Sequence, residues 1–410
     1  MGATDYGGDL GNRGEGDMNA RRSPDGRRWM GVGRSAEPDS RAAASAAARA
    51  ALAGPEPKLL IVFTAVHHDG AAVLAGVHDV APDVPLIGCS THGEIGPGGP
   101  ADGTVTIAAI GGAGFSVATA TAEAVSGRQR VAGAELAGSV RRVDDLAHRV
   151  LLLLTDGLVR EQETLLRGCY AVLGASVPLF GGAAAEGFQR CGPYVLGGER
   201  VLSDAAVAVT IASEAPLSVA VRHGWRTVGD PMIVTGSGNG WVYTLDDQPA
   251  LDVYLDRLGA PPEAYTDAGA FIDFALPRPL GVQRRSGVEP RNLGNRVDIE
   301  RRAISSGTAI DHGGLVWVMT GDEESILAAT DTACAEAVSG LGCEPVGLFT
   351  FSCSALRPVL GEHGVRREND RMAKWADGAP FAGFYTYGEI ARVRGIDGFH
   401  NQTLAVLALG

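Results

Sequence analysis

The amino-acid sequence predicts an α/β or mixed α+β protein with two sequential domains of mixed sheets layered with helices. Strand-like and helix-like segments alternate along most of its 410 residues. The apolar run RVLLLLTDG, at 149–157, is typical of a strand covered on both faces. A short strand-to-turn sequence also recurs along the chain, which predicts that the two domains present similar corners.

Residues 1–54 are rich in Gly, Arg, Ala and Asp and poor in large apolar side chains. Such a composition buries too little surface to offset the entropy lost on ordering. We therefore expect a disordered tail over 1–54, in which the alanine run at 42–53 forms a fraying helix. Removal of this tail should leave the stability of the body unchanged.

The body begins with a strand at 58–65, KLLIVFTA, which is β-rich and bounded by Pro57. A helix over 69–80 and a strand over 84–89 follow. The next two segments, GTVTIAAIGG and FSVATATA, predict a strand pair. A helical stretch around 128–147 then leads into the apolar strand near 150.

The second half of the chain gives clearer helix signals. A helix over 160–173 is ended by Gly174, and short strands fill 193–235. Pro249 begins and Gly259 ends a helix over 249–258. Another helix begins at Asp322, with acidic residues in its first turn. The segments VGLFTFSCS, FAGFYTYG and TLAVLALG predict strands towards the C-terminus.

Composition and charge exclude several classes of protein. A net charge of −13 disfavours nucleic acid, and the arginine-rich stretch at 278–302 is diluted by acidic residues. Six scattered cysteines without a CxxC pair indicate neither a disulfide framework nor a zinc site, so we expect a reducing cytoplasm. The chain shows no signal-peptide core, and we expect no membrane insertion.

The recurring corner is PLIGCSTHGEI at 85–95 and PFAGFYTYGEI at 380–390, with a weaker copy, PLFGGAAAEG, at 178–187. Glycine-bounded turns at strand ends let a ligand approach the main chain. In this interpretation Ser90 and Thr91 hydrogen-bond a ligand, and Glu94 receives an ammonium group. Alternatively, the hydroxyls satisfy local backbone groups and Glu94 is only solvated.

Three other chemistries receive less support. Cys89 with His92 as its base could form a nucleophilic pair, but the nearby Glu94 opposes thiolate formation. Zinc needs four ligands, and nothing is spaced to complete a set with the available histidines. The GSGNG at 236–240 is predicted to be a hairpin turn and not a dinucleotide site, because it opens no helix.

An ordered set of segments identifies a resemblance: GCSTHGEI, GGAAAEGF, HGWRTVGDPMIVTGSGNGWVYTLDDQPALDVYL, FSCSALR, YTYGEI and HNQT. Together, from Lys58 to Leu409, they resemble the FIST family, named for F-box and intracellular signal transduction proteins. The resemblance implies an N-terminal FIST domain over 55–240 and a C-terminal one over 241–410. It departs from the family pattern at Arg357, which stands one residue later than usual.

The resemblance implies a sensor of a small ligand, with an amino acid as the candidate. Arg357 or backbone amides would receive the carboxylate, and Glu389 the ammonium group. The chain shows no recognisable kinase, cyclase, chemotaxis or F-box segment, so the signalling partner is expected to be a separate protein. The expected ligand-binding residues are Ser90, Thr91, Gly93, Glu94, Glu186, Cys353, Arg357, Thr386, Gly388, Glu389 and Asn401.

The sequence therefore predicts a cytoplasmic small-molecule sensor without a metal, a cofactor or catalytic residues. The alternative is a cysteine-dependent hydrolase or transferase that acts on a small amide or thioester. A third possibility is a scaffold that binds its partner through the N-terminal tail. Exposed turns with Cys, His and Glu serve the first two functions equally, so the sequence leaves the choice between them open.

Overall fold

In a computed structural model of the chain, residues 28–187, 192–284, 287–293, 296–306, 308, 310–392 and 398–410 are described. They form three copies of one unit, and the third copy carries an inserted domain. Each unit contains two parallel strands that are joined through a helix, with antiparallel strands on both sides. This confirms the predicted α/β class with mixed sheets layered with helices.

The first unit builds a sheet in the order β1-β5-β2-β3, in which β2 and β3 are parallel. Asp39 and Asp69 cap its two helices by accepting from the backbone N–H of Ala42 and Ala72. Its elements are β1 (Trp29–Ser35), α1 (Ser40–Ala51), β2 (Pro57–Ala65), α2 (Gly70–His78), β3 (Leu86–Thr91), β4 (Glu94–Ile95) and β5 (Val105–Gly111).

The expectation of a disordered tail is wrong for residues 28–54, because β1 and α1 belong to the first unit. A Cβ at Gly31 would lie 2.2 Å from the Ala51 carbonyl oxygen, and one at Gly33 would lie 2.0 Å from that of Ala47. The alanine helix therefore packs directly on the glycine-containing strand, and close contact replaces the large side chains that the segment lacks. Residues 1–27 lie outside the described residues.

The second unit repeats the plan with the order β6-β11-β7-β8. The helix predicted over 160–173 is present and ends before Gly174. The elements are β6 (Phe115–Ala122), α3 (Gln129–Ala137) with a 3₁₀ turn at Gly138–Arg142, β7 (His148–Thr155), α4 (Gln162–Leu173), β8 (Leu179–Ala183), β9 (Val195–Gly197), β10 (Arg200–Leu202) and β11 (Ala206–Ser213).

The third unit starts with β12 (Leu217–Arg222) and is then interrupted by the inserted domain, which has its own sheet and hydrophobic core. Asn239 and Gly240, both with positive φ, form the predicted hairpin turn. The inserted elements are β13 (Arg226–Gly238), β14 (Trp241–Leu245), β15 (Gln248–Pro249), α5 (Ala250–Leu258), α6 (Ala268–Ala275), β16 (Leu280–Arg284), β17 (Gly287–Arg291), β18 (Val297–Asp298), β19 (Ala303–Ser305) and β20 (Leu315–Thr320).

After the insertion the third unit continues in the order β12-β25-β21-β22. Asp322 caps α7 in a reciprocal capping box with Ser325, as the acidic first turn predicts. The chain breaks its helical geometry at Gly361, inside α8. The elements are α7 (Glu323–Ser339), β21 (Gly347–Cys353), α8 (Arg357–Ala376), β22 (Phe381–Thr386), β23 (Glu389–Arg392), β24 (Phe399–His400) and β25 (Leu404–Leu409).

The three units exchange edge strands in a cycle. The strand that follows each corner leaves its own sheet and pairs with the next one: β4 with β22, β23 with β8, and β9 with β3. The two sequence domains therefore share sheets. The expected boundary between residues 240 and 241 lies in the β13–β14 turn, inside the insertion.

The three sheets face one shared core, and the helices cover their outer faces. The centre is an aromatic cluster in which Phe63 stacks on Phe384 at 5.2 Å, and Phe351 contacts Phe180 at 4.5 Å between ring centroids. Each unit contributes at least one of these rings. Strand alternation explains the two layers, since Leu152 faces this core while its neighbours face the helices.

We predict that a chain beginning at residue 55 is unfolded or aggregated. It lacks β1, which pairs with β5 along its length, and α1, whose loss uncovers the outer face of the first sheet. A chain beginning at residue 28 keeps both elements and is the control. Urea unfolding followed by circular dichroism compares them. Equal unfolding midpoints for the two chains would contradict the described packing.

Candidate functional site

The three corners meet at one junction and hydrogen-bond to one another in a cycle. The backbone N–H of His92 donates to Tyr385 O at 3.1 Å, that of Tyr387 to Ala183 O at 3.1 Å, and that of Ala185 to Ser90 O at 3.0 Å. These residues hold equivalent positions in the recurring sequence. The weak copy at 178–187 is therefore a true third corner.

The two corner glutamates are fully buried, so the alternative in which Glu94 is only solvated is wrong. Glu94 Oε2 accepts from Thr104 N at 3.0 Å and Thr104 Oγ1 at 2.6 Å. Glu389 Oε2 accepts from Thr403 N at 3.2 Å and Thr403 Oγ1 at 2.8 Å. Each glutamate thus ties its corner to the start of the last strand of its unit. Burial raises the pKa of Glu94 to about 7 and that of Glu389 to about 8.

The corner hydroxyls also serve the backbone. Ser90 Oγ accepts from Tyr194 N at 3.0 Å, and Thr386 Oγ1 donates towards Ala183 O at 2.7 Å. Thr91 bonds to Glu94. Gly388 leaves room for a neighbouring ring, because a Cβ there would lie 2.3 Å from Phe399. The corner hydroxyls therefore hydrogen-bond to neighbouring protein groups, as in the alternative interpretation of the sequence, and not to a ligand.

Beside this junction lies a cleft of about 2380 Å³. Its walls come from the segments that follow two parallel strands, 157–167 after β7 and 353–365 after β21, and from the inserted domain. Ligands bind at this end of the strands in α/β folds. Its ionisable lining residues include His92, and its charged ones are Asp102, Arg160, Glu161, Glu163, Arg167, Glu186, Arg284, Arg296, Asp311, Arg357, Glu362 and Arg392.

Four of the predicted ligand-binding residues line this cleft: Glu186, Cys353, Arg357 and Asn401. Glu186 Oε2 accepts from Gly192 N at 2.7 Å. Asn401 is only 5% exposed, and its Oδ1 has no hydrogen-bond partner within the described part of the chain. The structure therefore places these four residues in the lining of a single cleft.

The sequence analysis did not predict Tyr387 and considered His92 only as a base for Cys89, yet both line the cleft and their ring centroids lie 6.2 Å apart. Each occupies the variable position of the T-x-G-E corner. Successive side chains of a strand point to opposite faces, so this position faces away from the buried threonine. That alternation is the feature of the sequence from which the role of His92 and Tyr387 in lining the cleft could have been predicted. Burial lowers the pKa of His92 to about 4, with a further contribution from the Arg357 charge.

Cys89 and Cys353, the two cysteines of the corner and site segments, lack the environment of a nucleophile. Cys89 is fully buried, Cys353 is 3% exposed, and burial raises the pKa of both thiols well above the ordinary value. Catalytic thiols need the opposite shift. Among the described residues, no group of three His, Cys, Asp or Glu side chains is placed to hold a metal ion. None of the described helices is both long and apolar enough to cross a bilayer.

Two family models cover most of the chain, the FIST N domain over residues 58–248 and the FIST C domain over 250–392. The chain belongs to the FIST family. This confirms the resemblance seen in the sequence, and FIST domains are in general sensory domains of signal-transduction proteins.

Two proteins of Mycobacterium tuberculosis are similar to this FIST protein over nearly their whole length. Uncharacterized protein MT0656 of strain CDC 1551 / Oshkosh and Uncharacterized protein Rv0628c of strain H37Rv are each 28% identical over 388 residues, which is 92% of this chain and 98% of theirs. The crystal structure of phosphoribosylformylglycinamidine synthase II from Thermotoga maritima aligns with 96% of this chain and 74% of its own, at 11% identity and a TM-score of 0.23. That score is too low to bear on fold or function.

We predict that Glu94→Gln and Glu389→Gln flatten the pH dependence of folding. Above pH 4.5 the unfolded chain loses a proton that each folded carboxyl keeps, so stability falls as the pH rises to about 7 for Glu94 and about 8 for Glu389. Each proton contributes a slope of about 1.4 kcal/mol per pH unit. Urea unfolding from pH 4 to 9 measures the slopes, with exposed Glu362→Gln as the control. Slopes equal to the parent's would refute this assignment.

We also predict that iodoacetamide at neutral pH labels the exposed Cys343 well before Cys89 and Cys353. Burial and raised pKa values keep the latter two as protonated, inaccessible thiols. Peptide mass spectrometry over a time course gives the order of labelling. Early modification of Cys353 would instead support the alternative function, a cysteine-dependent hydrolase or transferase.

Proposed function

We propose that this FIST protein senses a small zwitterion, with an amino acid as the first candidate, and passes its occupancy to a separate signalling protein. The observation that carries the proposal is the position of the cleft. It lies at the carboxyl ends of two pairs of parallel strands, where all three corners and the inserted domain meet. A ligand in it would contact every unit at once, as a sensor requires.

The lining offers receptors for both charges of a zwitterion. Glu186 has one oxygen bonded to a backbone N–H, and a carboxylate has room for further donors such as an ammonium group. The segment before α8 and Arg357 lie in the same cleft and suit a carboxylate. This arrangement supports an amino acid more directly than a neutral metabolite.

Asn401 adds an argument from energetics. A buried acceptor without a partner costs about 1–3 kcal/mol, so its presence calls for an explanation other than stability. Rotation of the amide about χ2 exchanges its oxygen and nitrogen, which lets Asn401 present an acceptor to the cleft. We assign it to a donor group of the ligand.

The size of the cleft bears on the ligand. Small-molecule pockets usually measure about 300–1,000 Å³, and this one is larger at about 2380 Å³. An amino acid would occupy only the end beside the corners, and short peptides fit the whole. The screen for the ligand therefore includes dipeptides and tripeptides with the amino acids.

The cellular setting is part of the proposal. The five described cysteines are free thiols, which is typical of a reducing compartment and supports the cytoplasm. The net charge of −13 opposes nucleic acid as a partner. We therefore propose a protein as the recipient of the signal.

The test is a thermal-shift screen followed by calorimetry on Asn401→Leu. The substitution removes the acceptor and the cost of leaving it unpaired, so the melting midpoint should hold or rise. Ligand affinity should fall roughly tenfold or more, since a hydrogen bond to a charged group is lost.

Asn369→Leu is the matched control. Asn369 is equally buried, but its Oδ1 accepts from Gly96 N at 3.4 Å, and it does not line the cleft. This variant should lose stability and keep its ligand affinity. A screen without any ligand shift, or normal binding by Asn401→Leu, would count against the proposal.

A further inference from the structure

We infer that Asp102 is a built-in competitor for the ligand's carboxylate, and that the ligand displaces it from Arg357. This inference rests on the proposed function and names the regulation of the same cleft. Arg357 Nη1 and Nη2 donate to the two oxygens of Asp102, both at 2.8 Å. The planar guanidinium is thus bound as it would bind a carboxylate ligand.

Arg357 is the fixed member of this pair. Its Nη1 also donates to His92 O, and its guanidinium lies 4.9 Å from the centroid of the Tyr385 ring. Gly93 makes the close approach feasible, because a Cβ there would lie 2.7 Å from Arg357 Nη1 and 2.6 Å from Asp102 Oδ1. The corner glycine therefore makes room for the ion pair.

Asp102 is the exchangeable member. Its side chain is 68% exposed, against 19% for Arg357, and both residues line the cleft. A half-exposed ion pair is weak, so a second carboxylate in the cleft can compete for the same guanidinium. The apparent affinity for the ligand is then the intrinsic affinity multiplied by the fraction of molecules in which Arg357 is free of Asp102.

The exchange has a structural consequence at the 96–103 loop, which joins β4 to β5. Three contacts hold this loop: Arg34 Nη1 donates to Gly99 O at 2.7 Å, Ala101 and Glu94 exchange backbone hydrogen bonds at 2.8 and 2.9 Å, and Arg357 binds Asp102 just beyond that pair. Gly98 and Gly99 at its tip have positive φ and open space around them. Loss of the Asp102 contact removes one of these three contacts and loosens the loop, so hydrogen exchange of the loop reports whether a ligand is bound.

The test uses sodium acetate as the probe, at constant ionic strength, with acetamide as the uncharged control. Saturation-transfer difference NMR on the acetate methyl group measures binding to the parent and to Asp102→Asn. We expect acetate to bind Asp102→Asn roughly threefold to fivefold more tightly than the parent. The double variant Asp102→Asn, Arg357→Gln should lose this gain.

Asp79→Asn is the matched control, since Asp79 forms a similar bidentate pair with Arg41 and neither residue lines the cleft. This variant shows whether acetate binds any arginine whose aspartate partner has been removed. Hydrogen exchange of the 96–103 peptide gives an independent readout. Acetate should raise exchange in the parent, and Asp102→Asn should exchange fast without it.

Equal acetate affinity in the parent and Asp102→Asn, or an equal gain in Asp79→Asn, would overturn the inference. So would a 96–103 loop whose exchange responds to neither acetate nor the substitution. If Asp102→Asn fails to fold, Asp102→Ser and the exchange experiment on the parent decide. These results are separate from the amino-acid screen, whose failure would remove the proposed ligand and leave the competition at Arg357 standing.

Discussion

The architecture depends on the three backbone hydrogen bonds through which each corner donates to the strand end of the next unit. The strand after each corner pairs in the sheet of a neighbouring unit. Each of the three sheets therefore includes a strand from another unit, and no unit can complete its sheet alone. The aromatic core closes only when all three sheets are present. The same junction forms one end of the cleft, so the proposed ligand site lies where all three units depend on one another.

The buried glutamates show how a polar residue can organise such a junction. Glu94 and Glu389 each accept a main-chain and a side-chain hydrogen bond from one threonine, and so fix the corner relative to the last strand. Burial of a carboxyl is unfavourable in its charged form, and it is offset here by protonation and by these bonds. The second unit has Gly187 at the equivalent position and manages without this tie.

The sequence predicts the class, the corners and the capped helices, because each rests on local chemistry such as Asp322 at an N-cap. It misses α8, where Pro358, Gly361 and Gly364 conceal the helical pattern. It also misses β1 and the packing of α1, which it predicts only as a fraying helix, since close packing of alanine on glycine leaves no hydrophobic signal. The burial of Glu94 and Glu389 comes from strand exchange between units, a long-range event that a single sequence does not display.

The inserted domain enters the third unit between Gly224 and Gly321, and these two points lie side by side: a Cβ at Gly321 would be 3.4 Å from Gly224 O. A chain that leaves and returns at one place adds little loop-closure entropy to the unit that carries it. In the first two units the same connection is only a short link. The insertion therefore supplies one wall of the cleft from a domain with its own sheet and core, so the shape of that wall is set largely by residues outside the three repeated units.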